Sequence, residues 1–204
     1  MIDRDTIMHT ELLNTKNALY VFDIDDTLLR TSAMVHVRRN GVLVKKLTNA
    51  EFNTYVLEPG CEFDFTEFRD AQKFHDESQP IESVMHLLNV LVATTDERTK
   101  IIMNTARADF NNKDVVLNTF RKFGVNMDMV HLHRAGNIPG NDLPAKKKLV
   151  YIRQYLNAAH YKRVHMFDDN RTNLHHFLTL ANEYPDTTFS PWIVSENGHL
   201  EKFC

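Results

Sequence analysis

Residues 18–30 read ALYVFDIDDTLLR, so three carboxylates, Asp23, Asp25 and Asp26, follow an apolar run directly. A second acidic pair, Asp168 and Asp169, ends another apolar run in VHMFDD. Like charges this close disfavour each other's ionised forms unless a cation sits among them. Carboxylate oxygens are hard donors that suit Mg2+, which keeps several waters and uses few protein ligands. Hydroxyls and cations recur in the same motifs: Thr27, Thr105 in IIMNT, Arg107 in NTARAD and Lys148 in PAKKKLVYI. Such groups suit a phosphoryl group held against a metal. An aspartate beside the metal can attack phosphorus. A second carboxylate two residues on can protonate the leaving oxygen and then deprotonate water. Asp23 and Asp25 have that spacing.

These residues need a frame that brings them together. Residues 18–24 read as a strand buried on both faces. The alternation in AMVHVRRNGVLVKKL around Asn40-Gly41 predicts a hairpin. Residues 48–64 look irregular. Helical patterns cover 65–76 and 80–94, the latter with Ile81, Val84, Leu87, Leu88 and Leu91 at helical spacing. From there strands and helices alternate: strand 100–104, helix 112–123 stopped by Gly124, strand 127–133, helix 144–157 with Pro144 in its first turn, strand 163–168, helix 171–183, and strand 188–194 followed by an Asn197-Gly198 turn. Strands separated by helices imply a parallel sheet covered on both faces, with ligands at the carboxyl ends of its strands. The residues at those ends are Asp23 and Asp25, Asn104 and Thr105, His133 and Arg134, and Asp168 and Asp169. The expected fold is α/β: a Rossmann-like three-layer αβα sandwich with a central parallel sheet, a β-hairpin flap and at most a small cap. One domain over 1–204 suits the length, with the flap and a small helical insert at about 30–98.

Composition narrows the class further. The chain has 204 residues and a formal net charge of -3, so no global positive field advertises nucleic-acid binding. Two cysteines, Cys61 and Cys204, make neither a disulfide framework nor a zinc spacing, which suits a reducing compartment. The N-terminal stretch MIDRDTIMHTELLNTKN is polar and unlike a secretion signal. No stretch approaches the ~18 apolar residues of a membrane span. These features predict a cytoplasmic protein with no membrane partner; oligomeric state is open. Eleven histidines are present. His131 and His133 alternate on a strand and His175 and His176 adjoin on a helix, without zinc spacing to a cysteine, so they read as ordinary core or surface residues. Trp192, Met127 and Met129 read as core.

The order of these motifs resembles the haloacid-dehalogenase-like (HAD) phosphohydrolase superfamily. YVFDIDDT matches its first motif, IIMNT its second, a lysine of PAKKKLVYI its third and VHMFDD its fourth, over residues 18 to about 195. The resemblance implies a Mg2+-dependent phosphatase working through an aspartyl-phosphate. Asp23 would be nucleophile and metal ligand. Asp25 would be the general acid/base, with its backbone carbonyl also on the metal. Thr105 would bind phosphoryl oxygens, Asp168 would ligate the metal, and Asp169 would orient a metal-bound water. The lysine could be Lys146, Lys147 or Lys148; Lys148 is preferred because Ile152 and Leu156 then complete its helix's apolar face. Asp26 stands where many members have glycine and reads as a turn residue. The second aspartate of the first motif argues against dehalogenase chemistry.

The layout from NTARAD onward is also similar to the phosphatase half of phage polynucleotide kinase–phosphatases: Thr-x-Arg, a strand ending in Arg134, a lysine helix, an Asp-Asp pair and a tryptophan-bearing last strand. That likeness implies Arg107 and Arg134 as substrate contacts and a nucleotide or polynucleotide end as substrate. Phosphoproteins, small phosphometabolites and a non-catalytic HAD-fold binding module are the alternatives. No Gly-rich phosphate loop of a kinase half is present. The hairpin's His36, Arg38, Arg39, Lys45 and Lys46 either steer a polyanion or block edge pairing.

Overall fold

The computed structural model of the protein describes Leu12 and residues 16–204. Apart from Leu12, Lys16 and Asn17, the polar N-terminal stretch lies outside the described residues. A central six-stranded sheet runs in the order β11-β10-β9-β1-β7-β8. Its members are β1 (Ala18–Phe22), β7 (Lys100–Thr105), β8 (Val130–Arg134), β9 (Arg163–Asp168), β10 (Thr188–Val194) and β11 (Leu200–Lys202). The first five pair in parallel, and β11 is antiparallel to β10.

Strand β1 shows why the sheet is covered on both faces. All five of its residues are buried, and alternation divides them between two cores. Ala18, Tyr20 and Phe22 pack with residues of α2 (Ala71–Glu77), α3 (Glu82–Thr94) and α4 (Lys113–Lys122). Leu19 and Val21 pack with α5 (Pro144–Ala158) and α6 (Arg171–Leu178). Phe22 also stacks on Phe167 of the adjacent strand, with ring centroids 4.4 Å apart. Burying such a side chain contributes roughly 1.5–3 kcal/mol. The molecule is thus an α/β three-layer sandwich.

The sequence between β1 and β7 builds the flap. β3 (Val35–Arg39) and β4 (Val42–Leu47) form the expected hairpin, with Asn40 at φ 51° and Gly41 at φ 79°, as a primed turn requires. A third strand, β5 (Cys61–Asp64), extends it in the order β4-β3-β5. The pair β2 (Leu29–Arg30) and β6 (Gln79–Pro80) ties the two ends of the insert together. Val35, Val37 and Leu47 make a core of their own with Phe52, Tyr55 and Phe63. Most flap cations are answered inside it: Arg38 by Asp64 at 2.6 Å, Arg39 by Glu58 at 2.6 Å, and His36 and Lys46 by Glu67 at 2.7 and 3.3 Å. These pairs offset much of the hairpin's positive charge, and β3, which carries His36, Arg38 and Arg39, is the middle strand of the three.

Several expectations need correction. Residues 48–64 are not irregular: α1 (Asn49–Thr54) starts with a capping box between Thr48 and Glu51, and β5 follows. The pattern at 65–76 breaks at Asp70. A 3-10 turn (Thr66–Arg69) precedes it, and its side chain caps α2 through the Lys73 N–H. Asn126 accepts from the Asp128 N–H and holds Met129 in a turn, so the strand begins at Val130 and Met129 is 49 % exposed rather than core. The helix at 171–183 gives way to a 3-10 turn after Leu178. No helix among the described residues is long and apolar enough to cross a membrane.

Candidate metal and phosphate site

Strand order decides where the site lies. From β1 the chain moves outward to β7 and β8, then returns to β9 on the other side of β1. The carboxyl ends of β1 and β9 therefore flank the switch point, where loops diverge and leave a crevice. Asp23 follows β1, Asp168 ends β9, and the Asp23 N–H donates to the Phe167 carbonyl at 3.0 Å. One oxygen each from Asp23, Asp168 and Asp169 lie within 4.8 Å of one another.

The loop after Asp23 is wound tightly. The amides of Thr27, Leu28 and Leu29 all donate to the Ile24 carbonyl, and Asp26 sits at φ 57°. Asp tolerates that left-handed conformation. The Asp26 carboxylate accepts from Asn49 Nδ2 at 3.0 Å, joining this loop to the flap helix. Thr27 is wholly buried. Its Oγ1 accepts from the Asp169 N–H at 3.0 Å, so it latches β1's loop to β9's loop.

Of the three candidate lysines, Lys148 enters the site. It is 1 % exposed, and its Nζ lies 2.8 Å from both Asp23 Oδ1 and Asp168 Oδ2. Lys146 is exposed and Lys147 half-buried. Asn104 Nδ2 donates to the Lys148 carbonyl at 2.9 Å and fixes the helix register. Asp168 is fully buried, accepting from the Asn170 N–H at 2.9 Å and from Asn173 Nδ2 at 2.9 and 3.0 Å. Sequence reasoning placed Asn104 at a strand end without a role and missed Asn173, because an asparagine carries no motif until its partner is known.

Electrostatics distinguish two sets. Burial pushes the Asp23 carboxyl well above its usual range; Lys148 opposes this, while Asp168, Asp169 and Asp25 add to it. Burial and then Asp168 push Asp169 up to about 7. Burial disfavours the Lys148 ammonium, yet Asp168 and Asp23 outweigh it and hold the group charged. The raised Asp23 and Asp169 carboxyls resist ionising together; if all three carboxylates were ionised beside the ammonium, two negative charges would remain, which a divalent ion would balance. Carboxylate oxygens are hard donors, so this set suits a hard divalent cation.

Asp25 belongs to the second set. Burial raises its carboxyl, but Arg107 outweighs that and its pKa is lowered. Arg107 Nε lies 2.9 Å from Oδ2 and Nη2 2.6 Å from Oδ1, and Thr31 Oγ1 donates to Oδ1 at 2.8 Å. The guanidinium also donates to the Phe68 carbonyl and lies over the rings of Phe68, Phe74 and Phe110 at 4.6, 5.0 and 5.4 Å. Arg107, expected at a phosphate, is thus engaged with Asp25, and the Asp25 side chain stands outside the acidic triad. Thr105 is buried, accepts from the Arg107 N–H at 3.1 Å and lies 3.5 Å from Asp25 Oδ2. Arg134 pairs with Asp109 at 2.7 Å instead of reaching the carboxylates. The Arg134 turn packs on the loop after β7: a Cβ on Gly136 would lie 2.4 Å from the Ala106 carbonyl oxygen.

No family model matches the chain. No curated protein matches it. Among solved structures, the chain is similar to the HAD domain of effector protein Lem4 from Legionella pneumophila, at 14% identity and a TM-score of 0.49, over 92% of this chain and 86% of that one.

Proposed function

We propose that the protein is a HAD-type phosphoric monoester hydrolase that uses Mg2+. The observation that carries the reading is the triad Asp23, Asp168 and Asp169 with Lys148 between two of its members, at the switch point of a parallel sheet. Asp23, Asp168 and Asp169 would hold the ion, and the motif resemblance adds the Asp25 carbonyl. Bound there, Mg2+ supplies the positive charge that lets an anionic phosphate approach anionic carboxylates.

The chain's own groups do the rest. Asp23 is buried but retains 7 % exposure. Its oxygen forms a bond to phosphorus as the bond to the leaving oxygen breaks, giving an aspartyl-phosphate. Lys148 fixes the other side of that carboxylate and offsets charge on the phosphoryl oxygens. Asp25 delivers the proton that the leaving oxygen needs and takes one from the water that cleaves the acyl phosphate. Its pairing with Arg107 suits the second of these steps in the ground state. For the first, Asp25 must collect a proton as the phosphate enters. Thr105 fixes the far side of Asp25.

The substrate we favour is a nucleotide or polynucleotide phosphate end, on the likeness of the Thr105-x-Arg107, Arg134, Lys148 and Asp168-Asp169 layout to polynucleotide phosphatases. The small flap supports this, since it leaves room for a bulky leaving group. The Asp25–Arg107 pair favours a second reading, a phosphate-binding module without turnover. One experiment separates them: phosphate release from 3'- and 5'-phosphorylated oligonucleotides, mononucleotides, phosphopeptides and sugar phosphates, with Mg2+ and with chelator. Release is expected with Mg2+ alone. It should vanish in Asp23→Asn and fall by roughly 10²–10⁴-fold in Asp25→Asn. An Asp23→Asn protein as active as wild type removes Asp23 from the mechanism, and no release from any substrate supports the binding module.

A further inference from the structure

We infer that His131, His133 and Tyr155 form a separate cation site, for a borderline transition ion such as Zn2+, on the outer edge of the central sheet. β8 is the edge strand there, and residues 131 and 133 send their side chains to one face of it. α5 packs Tyr155 against both. Its hydroxyl lies 2.6 Å from His131 Nδ1 and 2.9 Å from His133 Nε2. The two imidazoles therefore converge, with ring planes 81° apart. The phenol can donate its proton to one imidazole and accept from the N–H of the other; a divalent ion would replace those two hydrogen bonds with bonds to the same three converging atoms.

The geometry is close to what an ion requires. A tetrahedral Zn2+ with bonds of about 2.0–2.1 Å holds its donor atoms roughly 3.3 Å apart, so the two separations from the Tyr155 oxygen, 2.6 and 2.9 Å, would widen by less than about 1 Å. His131 is exposed, which gives the adjustment room and opens a path for the ion and for a water ligand. Tyr151, one helical turn before Tyr155, stacks on His133 with centroids 4.5 Å apart and fixes that ring. Burial, with lesser repulsion from His131 and Arg134, holds His133 near 4, so its ring is neutral and keeps a lone pair at neutral pH. The opposing charge is Arg134, and Asp109 answers it at 2.7 Å. Imidazole and phenol donors select Zn2+, Ni2+ or Cu2+ over Mg2+, whereas the acidic triad selects the reverse. An ion here would pin α5, which carries Lys148, to β8, which carries Arg134.

The test titrates Zn2+ into the full chain with Mg2+ in large excess, so that the acidic triad is occupied. Isothermal titration calorimetry should find a Zn2+ site that weakens in His131→Ala by more than the roughly 10–100-fold cost of losing an outer-shell partner. Because His131 is exposed, this variant should fold and keep the wild-type circular dichroism. With Cu2+ as probe, electron paramagnetic resonance should show coupling to two nitrogens in wild type and to one in the variant. Absence of Zn2+ binding to wild type, equal binding by His131→Ala, or a Cu2+ spectrum without nitrogen coupling would each overturn the site. None of these readouts depends on phosphate release, so the two proposals fail separately.

Discussion

An ammonium group with almost no exposed surface, Lys148 Nζ, stands 2.8 Å from two carboxylates, one of them fully buried. Burying such charges is costly, and what makes the arrangement tolerable is that each group answers another. Removing the lysine leaves the three carboxylates of the triad without their cation. Lys148→Met should therefore lose about 3–5 kcal/mol of stability, the usual cost of breaking a buried ion pair. Mg2+ should restore much of it, because a ligand that binds only the folded state stabilises that state by mass action. Thermal denaturation by circular dichroism, with Mg2+ and with chelator, checks both parts. A melting temperature unchanged from wild type would show that the lysine does not neutralise the cluster. The Asp25–Arg107 pair is self-balanced by comparison. Its guanidinium is held by three rings as well as by hydrogen bonds, so it needs no ion.

The flap turns on another single carboxylate with many partners. Glu67 accepts from the Met34 N–H at 3.1 Å, from His36 at 2.7 Å and from Lys46 at 3.3 Å, and Lys73 lies 3.6 Å away. Burial raises its pKa, but these donors outweigh it and hold Glu67 at about 2, below its ordinary 4.5. A carboxyl whose pKa is depressed by folding stabilises the folded state fully above 4.5. That contribution fades as pH falls toward 2. Protection factors of the β3 and β4 amides, corrected for the intrinsic rate at each pH, should fall across that window, and Glu67→Gln should show the lowered protection already at pH 6. Identical exchange in the two proteins would exclude Glu67 as the flap's anchor. The flap's missed helix was legible in retrospect: Thr48-x-x-Glu51 is a capping-box pattern, but a six-residue helix offers too little periodicity to stand out from loop.

At the scale of the whole molecule, the described residues form three packed clusters. Two share the central sheet as their common wall, and the third lies wholly in the flap and its short helix. A unit with its own small core opens at lower free energy than the sheet that carries it. Native-state exchange at neutral pH should therefore show Val35–Leu47 and Cys61–Asp64 opening together. Ala18–Phe22 and Arg163–Asp168 should exchange only through global unfolding. A single opening free energy for all four segments would contradict this division. The sheet's central pairing joins β1 to β9 across most of the chain, for example Leu19 to Val164, so folding of that unit should be slow for its size.

Local chemistry is what the sequence by itself determined. The apolar runs before Asp23, Thr105 and Asp168 specify strands, the helices between them specify a parallel sheet, and strand ends in such a sheet converge. The Asn40-Gly41 turn was fixed by conformational freedom that few other pairs have. What only the tertiary structure decided is which charge meets which. Arg107 and Lys148 are equivalent cations in a list of residues, yet one is spent on Asp25 and the other stands between Asp23 and Asp168. That the Thr27 hydroxyl meets the Asp169 N–H is likewise visible only in the fold. Coulomb and hydrogen-bond partners are set by distances of a few ångströms between segments 20 to 142 residues apart. Spacing along the chain carries no record of them until the sheet has formed.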